Sequence, residues 1–222
     1  MENNKKIIGM FSLLTIVSTM MLFIRVVITG SITYMFFTWN LFLCIIPLYL
    51  SIKLKLLYFN RRIRGVWLYL IGFIWLLFYP NAPYIITDFV HLSFVDFFQK
   101  TQDGFLPIKD LRIWYDLIIF FIFIMTGFFM GLYSLYNVHE ILKDKLGKKI
   151  GLVLIFIITF LSGFAIYLGR YLRLNSWNIV THPIALITNI FLSINMFSLG
   201  FTLLFTLFLF LIYSLFYSFL SD

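Results

Sequence analysis

Six long apolar runs constrain this chain more than any other feature of its sequence. They lie at about 7–29, 34–52, 66–87, 113–137, 150–168 and 197–219. Each is close to the roughly 20 residues that an α-helix needs to cross the hydrocarbon core of a bilayer. Because lipid offers no hydrogen-bond partners, such segments satisfy their backbone groups within helices, and no alternation typical of barrel strands is visible. The runs predict an all-α polytopic integral membrane protein with about six transmembrane helices in one domain, 1–222.

The composition supports lipid as the surrounding solvent. Hydrophobic residues make up 62% of the chain and charged residues only 12%, whereas soluble domains carry about a quarter charged residues. A single cysteine, Cys44, lies inside an apolar run, which excludes an intrachain disulfide and a cysteine-based zinc site. Membrane lipid is therefore the partner that composition predicts.

The lysines and arginines predict the orientation of the helices. Eleven lie near the N-terminus and in the second and fourth connections, whereas five lie in the third and fifth connections. Loops rich in lysine and arginine stay in the cytoplasm, so both termini are expected inside and the connection at 88–112 outside. The clustering in short connections is typical of membrane orientation and argues against nucleic-acid binding. Heavy use of Phe, Ile, Leu, Lys and Asn suits an AT-rich, bacterial genome.

The third apolar run ends in the segment "YPNAPYIITDFVHLS", residues 79–93. Pro80 and Pro83 disfavour helix for the residues before them, so the third helix is expected to break at 79–82. Asn81 is then predicted to cap a new short helix, with Pro83 in its first turn. Broken helices at membrane depth are tolerated where they are buried in protein or line a polar cavity. The break therefore predicts a cavity.

Several polar groups are expected to meet at this outer end. In the new helix, Asp88 and His91 are three residues apart and project together. Asp116 in "WYD" begins the fourth span from the same side. Arg170 and Arg173 close the fifth span in "GRYLRLNSWN" and, being three residues apart, are expected to share one helical face. We predict a polar pocket with catalytic candidates Asp88, His91 and Asp116. The candidate substrate-binding residues are Asn81, Tyr84, Thr87, Arg170, Arg173, Asn175 and Ser176.

Four motifs occur in order along the chain: "WNLFLCIIP" (39–47), "PNAPYIITDFVHL" (80–92), "WYD" (114–116) and "GRYLRLNSWN" (169–178). Together they resemble the bacterial membrane-protein family known as domain of unknown function 1361. The resemblance runs from about residue 22 to residue 215. It implies a polytopic protein of the bacterial cytoplasmic membrane and supplies no particular activity, so the chemistry must be argued from the residues.

Three interpretations of the charged residues stay open. Asp88 and Asp116 can pair with Arg170 and Arg173 and simply tie helices together, because an unpaired intramembrane charge costs several kcal/mol. The arginines can instead bind a phosphate or carboxylate, with Asp88 or His91 as a general base. Asp88, His91 and Asp116 also form a possible metal-ligand set, although Asp-x-x-His alone is weak and we assign no metal.

Our preferred hypothesis is an envelope-related enzyme or binder that acts on an anionic, lipid-linked substrate at the outer face. The main alternative is a structural or accessory membrane protein whose charge network only pairs helices. A small transporter ranks third, because the inner halves of the spans show few polar groups apart from His139 and Glu140, which are expected to form a pair at the membrane interface. The sequence indicates neither a cofactor nor a protein partner. It also leaves open whether 183–196 is an interfacial helix or a deeper start of the last span.

The orientation can be tested by cysteine labelling in intact cells. With Gln102 replaced by cysteine, an impermeant maleimide is expected to react, because 88–112 faces outward. Cysteines placed in Lys143–Lys149 are expected to stay unlabelled until the membrane is permeabilised. Protection of position 102 in intact cells would overturn the predicted topology.

Overall fold

The computed structural model describes residues 2–63, 65–101, 104–174, 176 and 181–220, with side chains described except at 2–4 and 101. The described part is mostly helical, and six of its helical segments are long and apolar enough to cross a membrane. The helices are α1 (Glu2–Thr29), α2 (Phe36–Phe59), α3 (Val66–Phe78), α4 (Asn81–Tyr84), α5 (Leu111–Leu146), α6 (Lys148–Leu172), α7 (Pro183–Leu192) and α8 (Met196–Leu220). The prediction of an all-α membrane fold with six spans and a broken third helix is confirmed.

Helix α5 is the centre of the bundle, and it packs against α1, α2, α4 and α6. Two of its glycines let the broken third helix approach closely. A Cβ atom at Gly127 would come within 2.8 Å of Ile85 and 2.9 Å of Cys44, and one at Gly131 within 2.9 Å of the Ala82 Cβ. Small residues at such crossings allow close backbone packing where lipid provides no hydrophobic driving force between helices. These contacts press the broken segment against α5.

The break of the third helix differs in detail from the prediction. Asn81 is the first residue of α4, and Pro80 occupies the N-cap position with helical backbone angles. The Asn81 side chain instead points back along the chain, and its Nδ2 donates to the Phe78 carbonyl at 2.9 Å. The predicted N-cap role of Asn81 is therefore wrong. The chain stays helical through the prolines, so the amide serves a carbonyl of the preceding helix rather than an N–H of the next one.

The segment after α4 is a 3₁₀ helix, Ile85–Phe94, where the sequence predicted a short α-helix. With three residues per turn, side chains at i and i+3 lie directly above one another. Asp88 and His91 therefore project to the same side. Thr87 donates from its Oγ1 to the Tyr84 carbonyl at 2.7 Å, which holds the junction between α4 and the 3₁₀ helix.

The predicted outer connection contains a hairpin that the sequence did not suggest. Strand β1 (Phe98–Thr101) pairs antiparallel with β2 (Gly104–Pro107), and Gln102, the labelling position, lies outside the described residues. Asp110 then caps α5, because its side chain accepts the Arg112 N–H at 2.9 Å. The Arg112 guanidinium beside it holds the pKa of Asp110 below its ordinary value.

Segment 183–196 is a separate short helix followed by a turn, which resolves the ambiguity of the sequence. Helix α7 ends at Leu192, and α8 begins at Met196. The Asn195 side chain accepts the Ser198 N–H at 3.0 Å and so caps α8. None of the ten residues of α7 is buried, so this helix lies on the outside of the bundle. We refer below to the end of the bundle that carries α4, the 3₁₀ helix and α7 as the Asp88 end.

Candidate functional site

A buried carboxylate, Asp88, lies at the centre of the candidate site, with its side chain only 1% exposed. Asn40 of α2 donates from its Nδ2 to one carboxylate oxygen at 2.6 Å. Arg170 of α6 donates from its Nη1 to the other oxygen at 3.4 Å. The Asp88 carboxylate thus connects three separate elements: α2, the 3₁₀ helix and α6.

Arg170 retains unused hydrogen-bonding capacity. It lies in the last turn of α6, where the helix dipole favours a positive charge, and its side chain is 20% exposed. A guanidinium carries five N–H donors in a rigid fork. Among the described residues, Asp88 is the only hydrogen-bond acceptor of this group. Arg170 can therefore neutralise Asp88 and still offer donors to another anion.

His91 lies beside the same carboxylate. Its Nε2 is 3.9 Å from the Asp88 Oδ1, which is close enough for charge interaction but longer than a hydrogen bond. The ring packs against Phe36 at 4.7 Å between centroids and against Phe94 at 6.2 Å. Its side chain is 31% exposed, so a small molecule can reach it.

A cavity of about 330 Å³ adjoins this cluster. Asn40 belongs to both, because it lines the cavity and bonds to Asp88. The cavity lies between α2, the end of α3 with α4, α6 and α7. Its lining residues are Trp39, Asn40, Leu43, Leu77, Pro80, Asn81, Tyr84, Ala165, Leu168, Gly169, Leu174, Ser176, Leu186 and Ile190. Three of the predicted binding residues, Asn81, Tyr84 and Ser176, are among them.

Ser176 fixes the connection after α6 to the broken third helix. Its Oγ donates to the Leu77 carbonyl at 2.7 Å and accepts from the Asn81 Nδ2 at 3.2 Å. Proline prevents the normal i to i−4 bonding at the break, so carbonyls there need other donors. Ser176 and Asn81 therefore have a structural role that is visible in the hydrogen bonds. Asn175 lies outside the described residues.

Asp116 does not join the Asp88 cluster. It forms a two-bond pair with Arg25 of α1, with distances of 2.7 Å from Nε to Oδ1 and 3.0 Å from Nη2 to Oδ2. The Tyr34 ring lies over the same guanidinium, 4.0 Å from its Cζ to the ring centroid. The expectation that Asp116 pairs with Arg170 or Arg173 is wrong, because this face of α5 looks toward α1 rather than α6. Arg25 was visible in sequence as another intramembrane charge that required a partner.

Arg173 also differs from the prediction that it shares a helical face with Arg170. Helix α6 ends at Leu172, and Arg173 follows in the left-handed conformation with φ of 54°. Helical spacing therefore does not apply between the two arginines, and the Arg173 side chain is exposed. Asn40, in contrast, is a site residue that was not among the predicted catalytic or substrate-binding residues. Its position beside Trp39, at the same predicted depth as Asp88, was the feature of the sequence that could have identified it as a site residue.

In this arrangement, the third ligand of the possible metal site, Asp116, is too far from the other two to bind the same ion. Asp88 and His91 are close, but Asp116 is held by Arg25. Within the described part of the chain, no three histidine, cysteine or carboxylate side chains come together as a metal-ligand set. The residues present at the Asp88 cluster thus fit an anion at Arg170 better than a cation.

The opposite half of the bundle contains more polar groups than the sequence suggested. His139 was expected beside Glu140 at the membrane interface, but it is only 2% exposed, and its Nδ1 lies 2.7 Å from the Tyr213 hydroxyl. Asn137 donates to the Ser51 hydroxyl at 3.3 Å. These buried groups connect α2, α5 and α8 by hydrogen bonds, which explains them as contacts between helices.

These features define a polytopic α-helical membrane protein with a carboxylate–guanidinium cluster beside a cavity at one end of its bundle. Residues 39–212 match the family described as protein of unknown function (DUF1361). Because the match covers well over half of the 222 residues, the chain belongs to this family. The resemblance seen in the four motifs is confirmed. No curated protein and no solved structure matches the chain.

The Arg25–Asp116 pair can be tested by exchanging its charges. Asp116→Arg is expected to lower the free energy of unfolding by roughly 2–5 kcal/mol, because it sets two positive charges against each other in a mostly buried site. Adding Arg25→Asp should restore most of that loss. Unfolding in detergent micelles measures both. Arg112→Gln removes an exposed charge near the same end and should change stability little. A double variant no more stable than Asp116→Arg alone would contradict the pairing.

Proposed function

We propose that this protein binds the anionic head group of a membrane lipid or lipid-linked molecule at the Asp88 end. In this proposal the Asp88 end faces the outside of a bacterial cytoplasmic membrane, with both termini in the cytoplasm. The orientation rests on the excess of lysines and arginines in the opposite connections. The binding site combines Arg170, Asp88, His91 and Asn40 with the neighbouring cavity.

The main observation in favour of the proposal is the single long hydrogen bond from Arg170 to Asp88. A charge kept only to pair helices is expected to form a short two-bond fork, and the Arg25–Asp116 pair has that geometry. Within the described ranges, Arg170 instead makes one hydrogen bond of 3.4 Å and keeps a partly exposed fork. Guanidinium groups grip phosphate or carboxylate through two parallel N–H bonds. The remaining donors of Arg170 suit such a group.

A second candidate function is transfer or hydrolysis at the bound phosphate. It is favoured by the position of His91, which lies next to Asp88 and is partly exposed. In this scheme Arg170 holds the phosphate, and His91 accepts the proton of a water or hydroxyl whose oxygen bonds to phosphorus. The P–O bond to the leaving alcohol breaks, and the departing oxygen takes that proton from the imidazolium, whose charge Asp88 stabilises from 3.9 Å. Asp116 has no part in it, because it is engaged with Arg25.

The structural alternative assigns these residues to helix pairing alone. The Asn40–Asp88–Arg170 chain does tie α2, the 3₁₀ helix and α6 together. On that view, no variant of Arg170 or Asp88 changes the affinity for any anion, and only stability responds. Binding measurements therefore separate the two accounts.

Binding can be measured as the affinity of purified protein for dioleoyl phosphatidic acid, with dioleoyl phosphatidylcholine and inorganic phosphate for comparison. Arg170→Gln is expected to weaken phosphatidic acid binding by roughly 10- to 100-fold, the size of one or two charge-assisted hydrogen bonds. Arg170→Lys should give an intermediate loss, because lysine keeps the charge but loses the fork. Asp88→Asn should strengthen binding, since it frees the guanidinium from its carboxylate.

The control is Arg112→Gln, which removes a positive charge of 76% exposure from the same end of the bundle. It should leave phosphatidic acid affinity unchanged. If Arg170→Gln folds poorly because it leaves Asp88 unpaired, the double variant Asp88→Asn with Arg170→Gln removes both charges and should fold without binding. Equal affinity in all of these variants would overturn the proposed function and favour helix pairing.

A further inference from the structure

We propose that the cavity beside Asn40 holds a hydrocarbon chain of the same lipid whose head group Arg170 binds. This inference deepens the proposed function and names the ligand class as a phosphate-bearing lipid with one chain inside the protein. A cavity of about 330 Å³ is at the small end of the range of ligand pockets. That size suits one chain or part of it rather than a whole lipid.

The chemistry of the lining favours an apolar occupant. Three of its polar side chains donate within the protein: Asn40 donates to Asp88, Asn81 to the Phe78 carbonyl, and Ser176 to the Leu77 carbonyl. What faces the cavity is then mainly aliphatic surface, contributed by Leu43, Leu77, Ala165, Leu168, Leu186 and Ile190. A water molecule is poorly stabilised in such a space, because it needs two to four polar partners for its hydrogen bonds. A hydrocarbon chain needs none.

The surroundings supply such a chain. Helices α2, α3 and α6, which form three walls, belong to segments apolar enough to span the membrane. Lipid chains surround the membrane-spanning helices that form these walls, so they are the nearest source of an apolar occupant. The geometry therefore points to the lipid of the leaflet at the Asp88 end as the source of the occupant.

Helix α7 forms the fourth wall and can serve as the entrance. Leu186 and Ile190 are four residues apart and so share the face that lines the cavity. Ile184 and Phe191 are 81% and 70% exposed. Because no residue of α7 is buried, few contacts hold this helix in place. A chain can enter by displacing it at low energetic cost.

The position of the cavity joins the chain to the head group. Gly169, the residue before Arg170, lines the cavity, and a Cβ atom there would come within 3.1 Å of the Tyr84 ring. Asn40 reaches from the cavity wall to Asp88, which contacts Arg170. The Arg170 fork is thus connected to the cavity wall through Asp88 and Asn40 and through the backbone at Gly169. One lipid molecule can occupy both places.

The test uses dioleoyl phosphatidic acid with a photoreactive diazirine in the middle of one chain. The protein is reconstituted in phosphatidylcholine vesicles with this probe, illuminated, and the adducts are mapped by mass spectrometry. Adducts are expected on the cavity-lining segments of α2, α6 and α7. Ala165→Trp fills the cavity and should reduce this labelling several-fold, as should Ile190→Trp, which is placed on a helix without buried residues.

The matched control is Leu161→Trp, on the same helix as Ala165 but 45% exposed and absent from the cavity lining. It should leave cavity labelling unchanged. Adducts confined to exposed positions such as Leu161, with no response to Ala165→Trp or Ile190→Trp, would show that the cavity holds no hydrocarbon chain. This conclusion would not depend on the head-group affinity of any Arg170 variant. Cavity adducts that respond to both tryptophans support it. If phosphatidylcholine carrying the same diazirine labels the cavity equally and Arg170→Gln has no effect, the chain site stands and the head-group proposal fails.

Discussion

The structure at the Asp88 end depends on keeping one buried carboxylate charged among membrane-spanning helices. Asp88 is 1% exposed, and an isolated charge at such a position would cost several kcal/mol. Asn40 and Arg170 offset this cost from two different helices. The 3₁₀ helix is thereby fixed between α2 and α6. Because the Asn40 amide spans the distance from the cavity wall to the carboxylate, the shape of the cavity and the charge of the site are physically linked.

The break in the third helix is what brings Asp88 to this position. Helix α3 ends at Phe78, just before the prolines, and the carbonyls of Leu77 and Phe78 accept from Ser176 and Asn81. Glycines 127 and 131 of α5 then let the broken segment lie directly against the backbone of the central helix. Irregular backbone at membrane depth persists only where protein surrounds it, and here α5 and the connection after α6 do so. The same break leaves the space that becomes the cavity.

The sequence predicted the spans, the break, and the proximity of Asp88 to His91, because apolar length, proline and helical spacing are local properties. It also placed Asp88 and Arg170 at the same end of the bundle, because both lie where a span ends on the same predicted side. It did not predict which carboxylate pairs with which arginine. Asp116 and Asp88 lie at the same end of the bundle, and the arrangement of α1 and α6 around α5 decides which arginine each one meets. Asp116 pairs with Arg25, and Asp88 pairs with Arg170. The left-handed turn at Arg173 and the burial of His139 against Tyr213 likewise depend on tertiary contacts that no local pattern encodes.

The most direct test of the central claim is a double-mutant cycle on Asp88 and Arg170, measured as the free energy of unfolding in detergent micelles. The account predicts that Asp88→Asn and Arg170→Gln each destabilise the protein. Together they should cost less than the sum of the two, with a coupling of about 1–3 kcal/mol. The exposed Asp96, further along the same segment, provides the control: Asp96→Asn combined with Arg170→Gln should be additive. Additive effects for Asp88 and Arg170 would show that the two charges do not interact and would contradict the account.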